Sequence, residues 1–177
     1  VDVAKLGPNY QPGHAHADSL SFELSLEGKR LFVNSGTSLY GISNLRHQQR
    51  STSAHNTLTL GEHNSSQVWG GFRVAKRAGI VKRSCHESLE GFVVEAAHDG
   101  YMQQSIGGIH CRKWISTKNS LIISDEIDFK DSDAIVAFFL HPSVLVSEIE
   151  ANRIILNLDK KEIIFKVSSG QIQIAKS

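Results

Sequence analysis

Near the start of the chain, SLSFELSL (residues 19–26) alternates strictly, with Leu20, Phe22, Leu24 and Leu26 on one side and serines and Glu23 on the other. A period of two predicts a half-buried strand. Glu27-Gly28-Lys29 then reads as a tight turn into RLFV (30–33), which predicts an early hairpin. Seven further runs read as strands: NTLTL (56–60), GFVVEAA (91–97), CRKWIS (111–116), LIISDEI (121–127), AIVAFFL (134–140), RIILNL (153–158) and EIIFKV (162–167). They are short, rich in β-branched residues and separated by Gly, Asn, Asp and Lys. LDKKE (158–162) reads as a second hairpin turn. No stretch of ten or more residues holds the i, i+3, i+4 apolar spacing of a helix, so the pattern predicts an all-β fold, an antiparallel sandwich or barrel. Residues 35–54 break the rhythm as a long polar interval, a length that in compact domains marks a functional or disordered loop. The closing QIQIAKS alternates as a strand would, so the native fold is expected to continue past the given chain.

With 177 residues and 40% apolar content, the chain is expected to form one globular domain with a sufficient core. Nineteen basic side chains face eighteen acidic ones, and a net charge of +1 excludes a strong field for nucleic acid or an anionic membrane. An acidic partner must therefore be held by a few placed cations. No run approaches the roughly 18 apolar residues of a membrane helix, and the N-terminal VDVAKLGPNYQPGH lacks a basic segment followed by an apolar one. A signal peptide already removed would leave no trace, so the compartment stays open. Cys85 and Cys111 lack CxxC spacing, and whether they pair is open as well. The chain has no GxSxG, Walker or GxGxxG motif and no cysteine nucleophile signature, which argues against nucleotide and acyl-transfer chemistry.

Histidines carry the chemistry that remains. In PGHAHADS (12–19), an extended backbone would point His14 and His16 to the same side. Such a pair can clamp a metal, or divide binding and proton transfer between the two rings, and it also occurs in ordinary surface turns. His55 precedes a predicted strand and either completes that site or caps the strand. His47, His63 and His86 sit in polar loop contexts, while His98, His110 and His141 sit at strand ends, as structural residues do. WGGFRVAKR (69–77) mixes aromatics with three cations, a composition that suits an acidic polymer and equally an exposed strand.

The segments GPNYQPGHAHADSLSFEL, LFVNSGTSLYG, RSTSAHNTLTL, QVWGGFRVAKRA and AAHDGY occur in this order over the first hundred residues. Together they resemble the C-terminal domain of heparinase II/III-like polysaccharide lyases, and the remainder agrees as a generic β domain. The resemblance implies a supersandwich-like β domain packed against an N-terminal α/α toroid of the same parent chain, with an acidic, uronate-containing polysaccharide in the cleft between them. The toroid supplies a tyrosine acid or base and the groups that neutralise the uronate carboxylate, so this domain alone is expected to have little or no activity. The implied reaction is β-elimination, in which a base removes the proton α to the carboxylate and the 4-linked sugar leaves with a proton. By motif, His14 would be the catalytic residue, and His16 and His55 would ligate a zinc ion of structural role.

The family's third ligand is an aspartate in a VDxGT stretch, where this chain has Asn34. An amide brings no charge, so the resemblance leaves three outcomes: a weaker zinc site, one that uses Asp18, or none. Tyr40 and Arg50 would lie near substrate, Arg50 as a clamp for a carboxylate or sulfate. The implied setting is the periplasm or exterior of a bacterium, with no nucleic-acid or membrane partner. Two alternatives stay open. One is a non-catalytic carbohydrate-binding or structural module, which Asn34 favours; the other is a cupin-like metal enzyme, which the missing glutamate after H-x-H disfavours.

Overall fold

A computed structural model describes residues 1–8, 10–129 and 133–175. In chain order the elements are β1 (Leu24–Leu26), β2 (Lys29–Phe32), helix α1 (Asn44–Arg50), a 3₁₀ turn (Thr52–Ala54), β3 (Leu58–Leu60), β4 (Val68–Trp69), β5 (Arg73–Val74), β6 (Ile80–Ser88) and β7 (Gly91–His98). There follow the short helix α2 (Gly100–Gln103), β8 (His110–Thr117), β9 (Leu121–Glu126), β10 (Ala134–Val136), β11 (Val144–Ile149), β12 (Arg153–Leu158) and β13 (Lys161–Lys166). Every strand pairing described is antiparallel, as expected of an all-β fold. No helix among the described residues is long and apolar enough to cross a membrane.

The chain divides into two compact units. The first comprises residues 1–23 and 34–139, the second residues 24–33 and 140–177. In the second, β1 and β2 form the expected hairpin, with Glu27 and Gly28 both at positive φ in the turn. There β12 is the middle strand of a three-stranded sheet with β11 and β13, and its Ile154, Ile155, Leu156 and Leu158 are all buried. The turn read in LDKKE joins β12 to β13. Residues 171–175 form no strand, contrary to the alternation read in QIQIAKS, and Lys176 and Ser177 lie outside the described residues.

The first unit is organised on the sheet β6-β7-β8-β9. Alternation puts Val94, Ala96 and Trp114 on one side of it, where they bury Leu20 in a small apolar core. The strand expected over 19–26 begins only at Leu24. Upstream, the Ser21 N–H closes a turn onto the Asp18 carbonyl and Leu20 takes a φ of 61°, so buried Leu20 is placed by a turn and not by a pleat. Both cysteines are free thiols.

His98 and His110 end β7 and begin β8 and face each other in the register. Both are fully buried, and their hydrogen bonds fix where the protons sit. The Gly100 N–H donates to His98 Nδ1 (3.1 Å), so neutral His98 carries its proton on Nε2 and donates to His110 Nδ1 (3.1 Å). His110 must then be protonated on Nε2, which donates to Asp125 Oδ1 at 2.6 Å. Arg112 closes the chain with both Nε and Nη2 on the Asp125 carboxylate (2.7 and 2.9 Å), and its Nη1 donates to the Leu20 and Asn56 carbonyls. The strand-end histidines are thus structural, as their sequence context suggests.

Burial, then the charges of His110 and Arg112, push His98 down to about 3. Burial also lowers His110, against the pull of Asp125. Burial works to raise Asp125, but its bonds to His110 and Arg112 hold it at about 2. In the unfolded chain histidine protonates near its ordinary 6.5, so below that pH the unfolded state binds more protons and stability falls as pH falls. The window runs from 6.5 down to about 3 for His98, and Asp125 adds loss of the same sign from its ordinary 3.8 to about 2. By pH 4.5 the contribution of His98 is expected to have dropped by about 2 to 3 kcal/mol. Imidazole ¹⁵N spectra are the check: the His98 ring should stay neutral and Nε2-protonated at pH 4.5, and an imidazolium signal assigned to His98 above pH 5 would contradict the relay.

Candidate functional site

All the residues singled out for chemistry lie in the first unit. The HAHAD segment is not a strand. A turn closed by the Ala15 N–H on the Pro12 carbonyl (3.0 Å) places His14 at its corner, exposed to solvent. The two alanines anchor the segment. Ala15 O accepts from Arg50 Nε (3.0 Å), the Ala17 N–H donates to Arg50 O (2.9 Å), and Ala17 O accepts from Thr52 Oγ1 (2.8 Å).

His14 meets the exposed Tyr40 ring edge-on, with centroids 5.5 Å apart. His16 lies deeper, its ring centroid 5.2 Å from that of the fully buried His55. His16, Asp18 and His55 each offer a metal-ligating atom, and these atoms lie within 4.8 Å of one another. Asn34 meets this cluster through His55. Its Oδ1 accepts from the Gly36 N–H (3.2 Å) and lies 3.0 Å from His55 Nδ1, which therefore donates to it. With its proton on Nδ1, His55 keeps a lone pair on Nε2, and that buried atom has no hydrogen-bond partner among the described residues.

Helix α1 closes the site from the other side. Ser43 caps it by accepting from the Arg46 N–H, and the residues that face inward are Arg46 and Arg50, four apart on one face and both fully buried. Arg50, expected at the substrate, is turned into the protein, where it donates to the carbonyls of Ala15, Trp69, Gly70 and Arg73. Its geometry is that of a splint between HAHAD and the β4–β5 hairpin.

Arg46 was not singled out from the sequence. Its Nε donates to Gly71 O (3.3 Å), its Nη1 donates to Thr37 Oγ1 (3.1 Å) and reaches His16 Nε2 (3.2 Å), and its guanidinium lies under the Tyr40 ring. A guanidinium can only donate, so His16 accepts at Nε2 and carries its own proton on Nδ1. The ring is kept neutral: burial, then Arg46, Arg50 and His14, lower His16 to about 4. Burial and then His16 lower His55 to about 4. Asp18 moves the other way, raised to about 7 by burial and then by Asp2.

The donor types fit a zinc ion in part. Two imidazoles and a carboxylate form a known set, and the unpartnered lone pair of His55 is what a metal would take up. His16 Nε2 is already engaged by Arg46, and zinc could use it only if that contact gave way. The one signal in the sequence that could have flagged Arg46 is local charge. Residues 34–86 hold seven Lys and Arg against a single acid, Glu62, although the whole chain carries only +1.

The profile of the heparinase II/III-like C-terminal domain matches residues 1–177, so the chain belongs to that family throughout its length. This fits a domain of a polysaccharide lyase. Neither the curated proteins nor the solved structures contain a match.

Proposed function

We propose that this chain is the β domain of a lyase that cleaves an acidic, uronate-containing polysaccharide by β-elimination, and that a helical toroid of the same polypeptide completes its site. The observation that carries the reading is the exposed His14 at the corner of an anchored turn, edge-on to exposed Tyr40 and next to a neutral histidine cluster. Solvent access suits a group that must reach the C5 proton of a bound uronate. The anchored alanines hold its backbone in place without filling the space in front of it. In this reading His14 transfers the proton, Tyr40 contacts the sugar, and Arg46 and Arg50 are positioning residues. A periplasmic or secreted setting accords with a polymer substrate.

His16, Asp18 and His55 would hold zinc, with Asn34 orienting His55 from behind through its Nδ1–H. Bound there, zinc would supply a fixed positive charge and rigidity beneath the cleft. The check is elemental analysis of the purified chain after zinc loading. About one equivalent per chain, lost in both His16→Ala and His55→Ala, is the expected result. Retention of metal in His55→Ala, or none in the native chain, would remove zinc from the reading and leave a purely hydrogen-bonded cluster. The lyase itself is tested by joining the domain to a helical toroid and following the absorbance of unsaturated uronate on several acidic polysaccharides. Cleavage that survives His14→Ala would refute the role given to His14.

A further inference from the structure

We propose that Phe72 and Tyr40 form a sugar-stacking subsite beside His14, and that the WGGFR hairpin tip is built to hold an anionic oligosaccharide there. The inference rests on the lyase reading for the part His14 plays. It adds Phe72 and the hairpin tip, to which that reading assigns no role, beside the Tyr40 that it already places at the sugar.

Two aromatic rings stand in solvent next to the turn that bears His14. Tyr40 is 62% exposed and Phe72 46%, their planes differ by only 4°, and their centroids are 6.4 Å apart. The Phe72 side chain also packs at the turn itself, since a Cβ placed on Gly13 would lie 3.8 Å from Phe72 Cδ1. Exposed aromatic surface gains nothing from water, so a lone exposed Phe carries little meaning. The support beneath this pair changes that.

Gly71 is buried, and a Cβ on it would fall 2.6 Å from the Gly41 carbonyl oxygen, so the hairpin tip presses directly on the residue after Tyr40. Arg46 holds the Gly71 carbonyl, and Arg50 holds those of Trp69, Gly70 and Arg73. Of the five carbonyls that these two buried guanidinium groups engage, four belong to the hairpin tip, which ties the tip to the helix. The result is a rigid loop that presents aromatic faces outward. Such pre-organisation lowers the entropy lost on binding a flexible ligand.

The chemistry of the surroundings selects the ligand. A pyranose ring offers a C–H-rich face to an aromatic ring, and its acidic substituents need cations. Arg73 and Lys76 follow Phe72 as exposed cations, with the Arg73 guanidinium held over the Trp69 ring at 4.8 Å. The excess of seven cations over one acid in residues 34–86 sets the sign of the local field. A chain of uronic-acid sugars satisfies both requirements, and a neutral glucan meets only the first.

The experiment is titration calorimetry of this chain with an unsulfated oligouronate, a sulfated heparin-type oligosaccharide and a neutral cello-oligosaccharide. Binding of an acidic oligomer is expected, weakened about tenfold by Phe72→Ala and restored by Phe72→Tyr. Arg73→Ala should weaken it further at low salt than at high salt. Which acidic oligomer binds more tightly identifies the oxyanion as carboxylate or sulfate. Leu89→Ala, at a solvent-exposed residue in the β6–β7 turn, is the control and should change nothing. The subsite is overturned if the native chain binds neither acidic oligomer, if Phe72→Ala binds as the native chain does, or if the neutral oligomer binds as tightly as the acidic ones. Cleavage by the toroid-joined polypeptide with KM unmoved in Phe72→Ala would sink the subsite and leave the lyase. Binding that depends on Phe72 with no cleavage of any polymer would sink the lyase and leave the subsite.

Discussion

Arg112→Met is expected to lower the unfolding free energy by about 3 to 5 kcal/mol, the usual cost of removing one partner from a buried ion pair. Arg112 is fully buried on β8, and four hydrogen bonds depend on it. Two neutralise the Asp125 carboxylate, which is only 13% exposed, and the others satisfy the Leu20 and Asn56 carbonyls. Methionine fills similar space but leaves an under-paired charge and two carbonyls without that donor. The loss also reaches the histidine relay, because Asp125 is the acceptor at its end. Urea denaturation should show a lower midpoint at unchanged slope. A change under 1 kcal/mol would mean that water repairs the network and that the relay does not hold the first unit together.

His14→Ala in a polypeptide that joins this domain to a helical toroid is expected to slow cleavage by about 10²- to 10⁴-fold, the usual contribution of a positioned proton-transfer group. The same change should leave stability within about 0.5 kcal/mol, because His14 is exposed and, among the described residues, its ring meets Tyr40 edge-on without a hydrogen bond. The expected contrast with Arg112 separates the two roles: Arg112→Met should cost fold, and under the proposed function His14→Ala should cost chemistry and almost no fold. If His14→Ala lost activity and stability together, the ring would be a structural support of the turn, and the proton transfer would belong elsewhere.

The all-β class was legible because strands with one buried face write a period of two into the chain. β7, β8, β9, β12 and β13 were found almost to the residue. β6 was missed. All nine of its residues are exposed or half-exposed, so IVKRSCHES shows no apolar alternation, and only pairing with β7 makes it a strand. Helix α1 was missed for a related reason. It is seven residues long and its inward face is two arginines, so it has neither the length nor the apolar stripe that reveals a helix.

Within the site, the pairing of H-x-H with His55 and the departure at Asn34 could be read from motif order, since motifs record which residue types recur at fixed spacing. Which arginine does what could not. Arg46 and Arg50 are one helical turn apart and alike in local sequence, yet one touches His16 while the other is spent on four backbone carbonyls. Those carbonyls come from segments up to 35 residues away, brought to the helix only by folding. By itself the sequence determined the strand class and the family, because these depend on local period and residue type. The tertiary structure decided the proton positions in the relay, the inward turn of Arg50 and the exposure of Phe72, because each depends on which distant donors and acceptors meet once water is excluded.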